Sequence, residues 1–189
     1  MIERRSESPE PWERSLKRLL PLWGHRNWIV VADSAYPAQS NTGIETIATG
    51  VDHLQLLKST LNAIRRSKHV RTHLYVDAEL EFVAENDALG VTRYREELAR
   101  LIGNQAIQVI AHDRIIEKLD ESAKLFRILI LKSTLTIPYT SVFFELGCGY
   151  WTSEAEQRLR LSMAGQRSAG KATGQAENNK SRRRRRNDQ

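Results

Sequence analysis

The sequence predicts a layered α/β domain, and three observations carry that expectation. Short apolar runs of strand length recur along the chain; segments with leucine and isoleucine at helical spacing separate them; and 40% apolar with 28% charged residues is an ordinary globular composition. At 189 residues the chain can bury a real core as one domain, with room for a tail.

The elements follow in order. After Ser8, Pro11 to Leu22 sets Trp12, Leu16, Leu19 and Leu20 at roughly helical spacing, and Gly24 stops the helix. Trp28 to Ala32 is a continuous apolar run, as expected of a buried strand in an α/β sheet. Ile44 to Ile47 reads as a second strand. Asp52 is placed to cap a helix from His53 to about Arg66, with Leu54, Leu57, Leu61 and Ile64 on one face. Leu74 to Ala78 reads as a strand, Thr92 to Ile102 as an amphipathic helix closed by Gly103, and Ile107 to Ala111 as another strand. His112 to Lys124 reads as a helix, and "LFRILIL" (125–131) and "SVFFEL" (141–146) read as the last strands.

The net charge of +6 comes from one end. Ten of the 29 Lys and Arg, but four of the 23 Asp and Glu, lie from Glu154 onward, so residues 1–153 are neutral. The last segment is small and polar and cannot bury enough apolar surface to offset its ordering entropy. It is expected to be a disordered basic tail over 154–189. Its run Arg182 to Arg186 is the one place where charge alone could hold nucleic acid or an acidic partner. No apolar run approaches the ~20 residues of a membrane span, and the N-terminus reads as no secretory signal. One cysteine, Cys148, excludes an internal disulfide and a cysteine metal cluster, so the chain reads as cytoplasmic. There is no Gly-x-Gly-x-x-Gly, Walker loop, Gly-x-Ser-x-Gly elbow or His/Glu pair at metal-ligand spacing.

In open α/β sheets ligands bind beyond the carboxyl ends of the strands. Asp33 follows the first strand, His112 follows the strand at 107–111, and Tyr139 lies in the turn "TIPYTS" before the last strand. His25 stands before the first strand and needs a curled loop or a neighbouring subunit to reach the same place. Singly, each has a structural explanation: Asp33 as a turn former, His112 as a helix cap, Tyr139 as a core aromatic, His25 as a boundary polar residue. Together they exclude some chemistries better than they name one, and an acid/base site is the sharper reading of the histidine and aspartate that bracket the first strand.

Three segments resemble the D-ribose pyranase and L-fucose mutarotase family. They are "GHRNWIVVADSAYPAQSNTG" from Gly24, "IAHDRIIEKLDESAKLFR" ending at Arg127, and "PYTSVFFELGCG" from Pro138. They occur in family order across roughly residues 15–150. The resemblance implies a three-layer α/β/α single domain with a mostly parallel or mixed sheet in residues 1–153. It implies a cofactor-free, metal-free isomerase acting on a free monosaccharide. By that likeness His25 is the proton donor, Asp33 and His112 bind sugar, and Tyr139 and Ser141 belong to the sugar-binding segment. Ser141 stands where the family has asparagine, and the Gly-Glu pair expected before Pro-Tyr is missing from "RILILKSTLTIPYTS". The family's rings of like subunits imply a homo-oligomer, a decamer of two five-membered rings. A noncatalytic monosaccharide-binding or regulatory protein of the same fold is the alternative.

Overall fold

Five consecutive apolar residues make β1 (Trp28–Ala32), and every one of them is buried. The computed structural model describes residues 10–164, in two units that meet in sequence after Tyr150. The first unit runs α1 (Pro11–Leu19), a 3₁₀ turn (Leu20–Leu22), β1, β2 (Ile44–Ala48), α2 (His53–Arg66), β3 (Val70–Asp77) and a second 3₁₀ turn (Ala78–Phe82). It continues through α3 (Val91–Ile102), β4 (Ile107–Ile110), α4 (His112–Ala123), β5 (Ile128–Lys132) and β6 (Val142–Cys148). The sheet order is β2-β5-β1-β6-β3-β4. β1, β2 and β5 pair in parallel, as do β3 and β4, and β6 runs antiparallel between the two groups.

Alternate side chains of a strand leave on opposite faces, and this divides the core in two. Ile29 and Val31 join a large cluster with Leu16 of α1, Leu57 of α2 and Leu98 of α3. Trp28, Val30 and Ala32 join a smaller cluster with Ile115, Leu119 and Ala123 of α4. Helices therefore cover both faces, three on one side and α4 on the other, which is the three-layer α/β/α architecture with a mixed sheet that the resemblance implies. Asp52 caps α2 as expected, its Oδ1 accepting from the Gln55 amide at 3.1 Å.

Some boundaries differ from the sequence reading for tertiary reasons. β3 begins at Val70, four residues earlier, because pairing with β6 extends from Val70↔Cys148 through the polar stretch Arg71–His73. β5 begins only at Ile128, because Phe126 still donates its amide to Ser122 in the turn that ends α4. A larger correction falls in the second unit. A helix runs over residues 153–164, so the first eleven residues of the stretch 154–189 expected to be disordered are helical. Thr152 Oγ1 accepts from the Ala155 amide at 3.1 Å, and Glu156 pairs with Arg160 one turn on. Composition shows that the segment has little to bury, but capping and i,i+4 pairing act without burial. The rest of the expected tail, including Arg182–Arg186, lies outside the described residues.

Candidate active site

Because β1, β2, β5, β3 and β4 all point the same way, their carboxyl ends share one edge of the sheet, and the antiparallel β6 begins there. The register makes this concrete. Val142, the first residue of β6, pairs with Val31 on one side and Val76 on the other, while Asp77 pairs with Ile110 and Ala32 with Lys132. Asp33, Asp77, His112, Ser133 and the segment before Val142 are thus gathered along one edge from strands far apart in sequence. A hollow of about 370 Å³ opens there, lined by Asp33, Tyr36, His112, Ile137, Pro138 and Tyr139 among others. Small-molecule pockets run from about 300 to 1,000 Å³, so the hollow suits a small ligand.

His112 is held from two sides. Its backbone amide, at the start of α4, donates to both carboxylate oxygens of Glu79, at 3.1 and 3.0 Å. The residue before it, Ala111, has no capping side chain, so Glu79 from the turn after β3 supplies the cap and places negative charge at the positive end of the helix. On the ring, Nδ1 lies 3.0 Å from Asp77 Oδ1. Asp77 is buried, at 1% exposure, and its other carboxylate oxygen has no hydrogen-bond partner. Burial pushes its carboxyl up to about 6, against the hydrogen bond and charge of His112, with Glu79 and Asp33 adding in the same direction as burial.

Tyr139 packs its ring edge-on to His112, with centroids 5.6 Å apart at 81°. It takes a left-handed backbone, φ 58°, which is uncommon for a residue with a Cβ. The next residue explains how that turn is held: Thr140 is fully buried, its hydroxyl donates to the Ile137 carbonyl, and its own carbonyl accepts from the Tyr94 hydroxyl, each at 2.8 Å. Behind it lies His53, also fully buried, with Nδ1 2.9 Å from Ser133 Oγ. Burial lowers the His53 imidazole to about 4, so it is neutral near neutral pH.

The structure brings Asp33, His112 and Tyr139 together around the hollow. Asp33 is half-buried, and its Oδ1 accepts from the Ala35 amide at 2.8 Å, so it forms the turn as well as lining the site. Ser141 is buried at the same sheet edge and is not among the lining residues. His25 is exposed in the turn at the opposite end of β1, where the Arg26 amide donates to the Leu146 carbonyl at 2.8 Å. The five residues of β1 at about 3.3 Å each separate it from Asp33 by on the order of 15 Å. A second hollow, of about 410 Å³, lies at that opposite edge among Trp23, Asn27, Glu45 and Arg127; the described residues lining it include no histidine. Among the described residues no group of three or more His, Cys, Asp or Glu is placed to hold a metal ion.

Asp77, Glu79 and Tyr36 are site residues that the sequence reading did not single out. The sequence carries the expected strand on to Ala78, one residue past Asp77, so the rule that singles out Asp33 points there to Glu79 and passes over Asp77, which ends the strand in the structure. Tyr36 is 4% exposed with an unpartnered hydroxyl, and burial, then Asp77, Asp120 and Asp33, raises its pKa.

No curated protein matches the chain. Among solved structures it is similar to RbsD of Bacillus subtilis complexed with D-ribose, at 20% identity, covering 75% of this chain and 97% of that one with a TM-score of 0.48. It is similar also to the fucose mutarotase of Streptococcus pneumoniae in complex with L-fucose, at 19% identity, 77% and 98% coverage and a TM-score of 0.48. For FucU of Bifidobacterium longum the figures are 18%, 71% and 94%, with a TM-score of 0.45. The model of the RbsD / FucU transport protein family matches residues 11–148, from the start of α1 to the end of β6, and the chain belongs to that family.

Proposed function

We propose that the protein interconverts ring forms or anomers of a free aldose, ribose- or fucose-like, by general acid/base catalysis. The observation that carries this reading is the convergence of Asp33, His112 and Tyr139 on one small hollow at the carboxyl edge of the sheet. Ring opening removes a proton from the anomeric hydroxyl, breaks the bond between the anomeric carbon and the ring oxygen, and places a proton on that oxygen. The protons balance, so the chemistry asks for a proton acceptor, a donor and groups that hold hydroxyls. Imidazole can do the first two near neutral pH, a carboxylate can accept sugar hydroxyls, and an aromatic face can pack against a pyranose.

His25 enters this reading as the proton donor contributed by a neighbour. Its distance from Asp33 is too great for one sugar to touch both within one subunit. The proposal therefore includes a closed homo-oligomer, a decamer of two five-membered rings, in which the His25 turn of one subunit completes the hollow of the next. That same distance supports the second reading: a chain that does not assemble would keep a sugar-sized hollow without its donor and would bind without turnover.

Saturation-transfer NMR on a panel of aldoses including D-ribose and L-fucose separates the two. Catalysed exchange between ring forms is expected, and it should vanish in His25→Gln while stability changes by less than about 1 kcal/mol, since the residue is exposed and outside the core. Line broadening without exchange would establish the binding reading. A fully active monomer in light scattering would refute the shared site.

A further inference from the structure

The proton acceptor is the one role that the proposed reaction leaves without a named residue, and His112 is a side chain of the hollow held from two sides. It has a carboxylate on its amide and another on its ring, and Asp77 reaches it from beneath the site. The placement of Asp77 follows from strand periodicity. Tyr75, two residues earlier on β3, packs in the cluster under α4, while Val76 packs in the opposite cluster. Asp77 therefore faces the α4 side, just where α4 begins with His112.

We propose that Asp77 is a positioning residue that holds His112 as the Nδ1–H tautomer, making His112 Nε2 the acceptor for the anomeric hydroxyl proton. The inference rests on the reading of the hollow as a sugar-ring isomerase site. An ionised carboxylate only accepts hydrogen bonds, so at 3.0 Å the proton between the two groups belongs on Nδ1. A neutral imidazole then carries its lone pair on Nε2, the ring's remaining polar atom, on a side chain that is 32% exposed and lines the hollow. Asp77 itself is shut off from solvent and does not line the hollow, so it acts through the ring. The other charged and titratable groups facing the pair are Glu79 from the turn after β3, Asp33 from the loop after β1, and Tyr36, which in turn faces Asp120 of α4. The described groups influencing Asp77 include no cation other than a protonated His112, so the imidazole is the polar partner that the carboxylate has. In the reaction, Nε2 takes the anomeric hydroxyl proton as the bond from the anomeric carbon to the ring oxygen breaks, a carbonyl forms, and the ring oxygen takes a proton from the donor. Ring closure returns both protons.

Long-range ¹⁵N–¹H NMR of the histidine rings in the full-length protein above pH 7 tests this, with the His112 signals assigned by their loss in His112→Gln. The wild type should show His112 protonated on Nδ1, the tautomer disfavoured in water. Asp77→Asn, if folded, should remove that preference, lower catalysed exchange of D-ribose or L-fucose at least about tenfold, and leave sugar affinity within about twofold. Asp77→Glu, which restores a carboxylate, should recover part of the rate. A wild-type His112 protonated on Nε2 overturns the proposal without any variant, and so does an Asp77→Asn protein with unchanged tautomer and exchange. If the tautomer responds as expected but the wild type exchanges none of the sugars, the positioning role stands and the isomerase reading is what fails.

Discussion

Asp77 also makes a prediction about stability that is independent of any sugar. Its carboxyl has an ordinary value of 3.8 and stands at about 6 in the folded chain, chiefly because the side chain is buried. The folded protein thus holds this proton more tightly than the unfolded chain does. The stability contributed by the group is fully present below about pH 4 and is lost as pH rises through 6. Two units at 1.36 kcal/mol each amount to about 3 kcal/mol. That is a large share of the 5–15 kcal/mol that holds a typical domain together. His112 opposes the effect by stabilising the carboxylate, and burial outweighs it. Asp77→Asn keeps the shape and removes the titration of this carboxyl, while also altering its hydrogen bond to His112. Urea unfolding of both proteins from pH 4 to pH 7.5 should show the variant gaining on the wild type by roughly 2–3 kcal/mol as pH rises. Parallel stability curves would mean that the carboxyl titrates at the same pH folded and unfolded, and the buried-dyad description of the site would be wrong.

Two further predictions concern the scaffold, one behind the site and one at the opposite edge of the sheet. His53, fully buried and lowered to about 4 from 6.5, contributes stability that is present above pH 6.5 and lost as pH falls from there toward 4. The wild type should lose up to about 3 kcal/mol across that window that His53→Gln does not lose, measured as the difference between their urea curves. Gly43 is required by contact: a Cβ there would stand 2.3 Å from the Ala123 carbonyl oxygen. Gly43→Ala should cost about 1–3 kcal/mol in thermal unfolding, by prying the start of β2 from the end of α4, and an unchanged Tm would show that the two segments move apart freely.

Much of the fold is legible in the residues because local physics writes it there. Trp28–Ala32 can only be comfortable in a sheet covered on both faces, and Asp52 followed by leucines at helical spacing can only begin a helix. Asp33 and His112 stand out because a polar group that ends an apolar run has left the core at the edge where α/β sheets bind ligands. The helix at 153–164 was not legible from burial arguments, since it rests on a cap and an ion pair that need no core. That His25 stands at the far end of β1 from Asp33 is legible in the order of the residues, and only the family likeness gives it a role as proton donor.

What the amino-acid sequence determines by itself is therefore the set of elements and the ends at which reactive groups emerge. Only the tertiary structure decides which ends meet. The antiparallel placement of β6 between β1 and β3 sets Asp33 and Asp77 along one edge, although 44 positions separate them in the numbering of the chain. The alternation of β3 turns Asp77 toward α4, and the start of α4 delivers His112 to it at 3.0 Å. Pairing between strands is a long-range choice, settled by which buried faces pack together and not by any single segment. For that reason a strand-terminal aspartate and a helix-initial histidine, 35 residues apart, become a hydrogen-bonded pair only when the sheet closes.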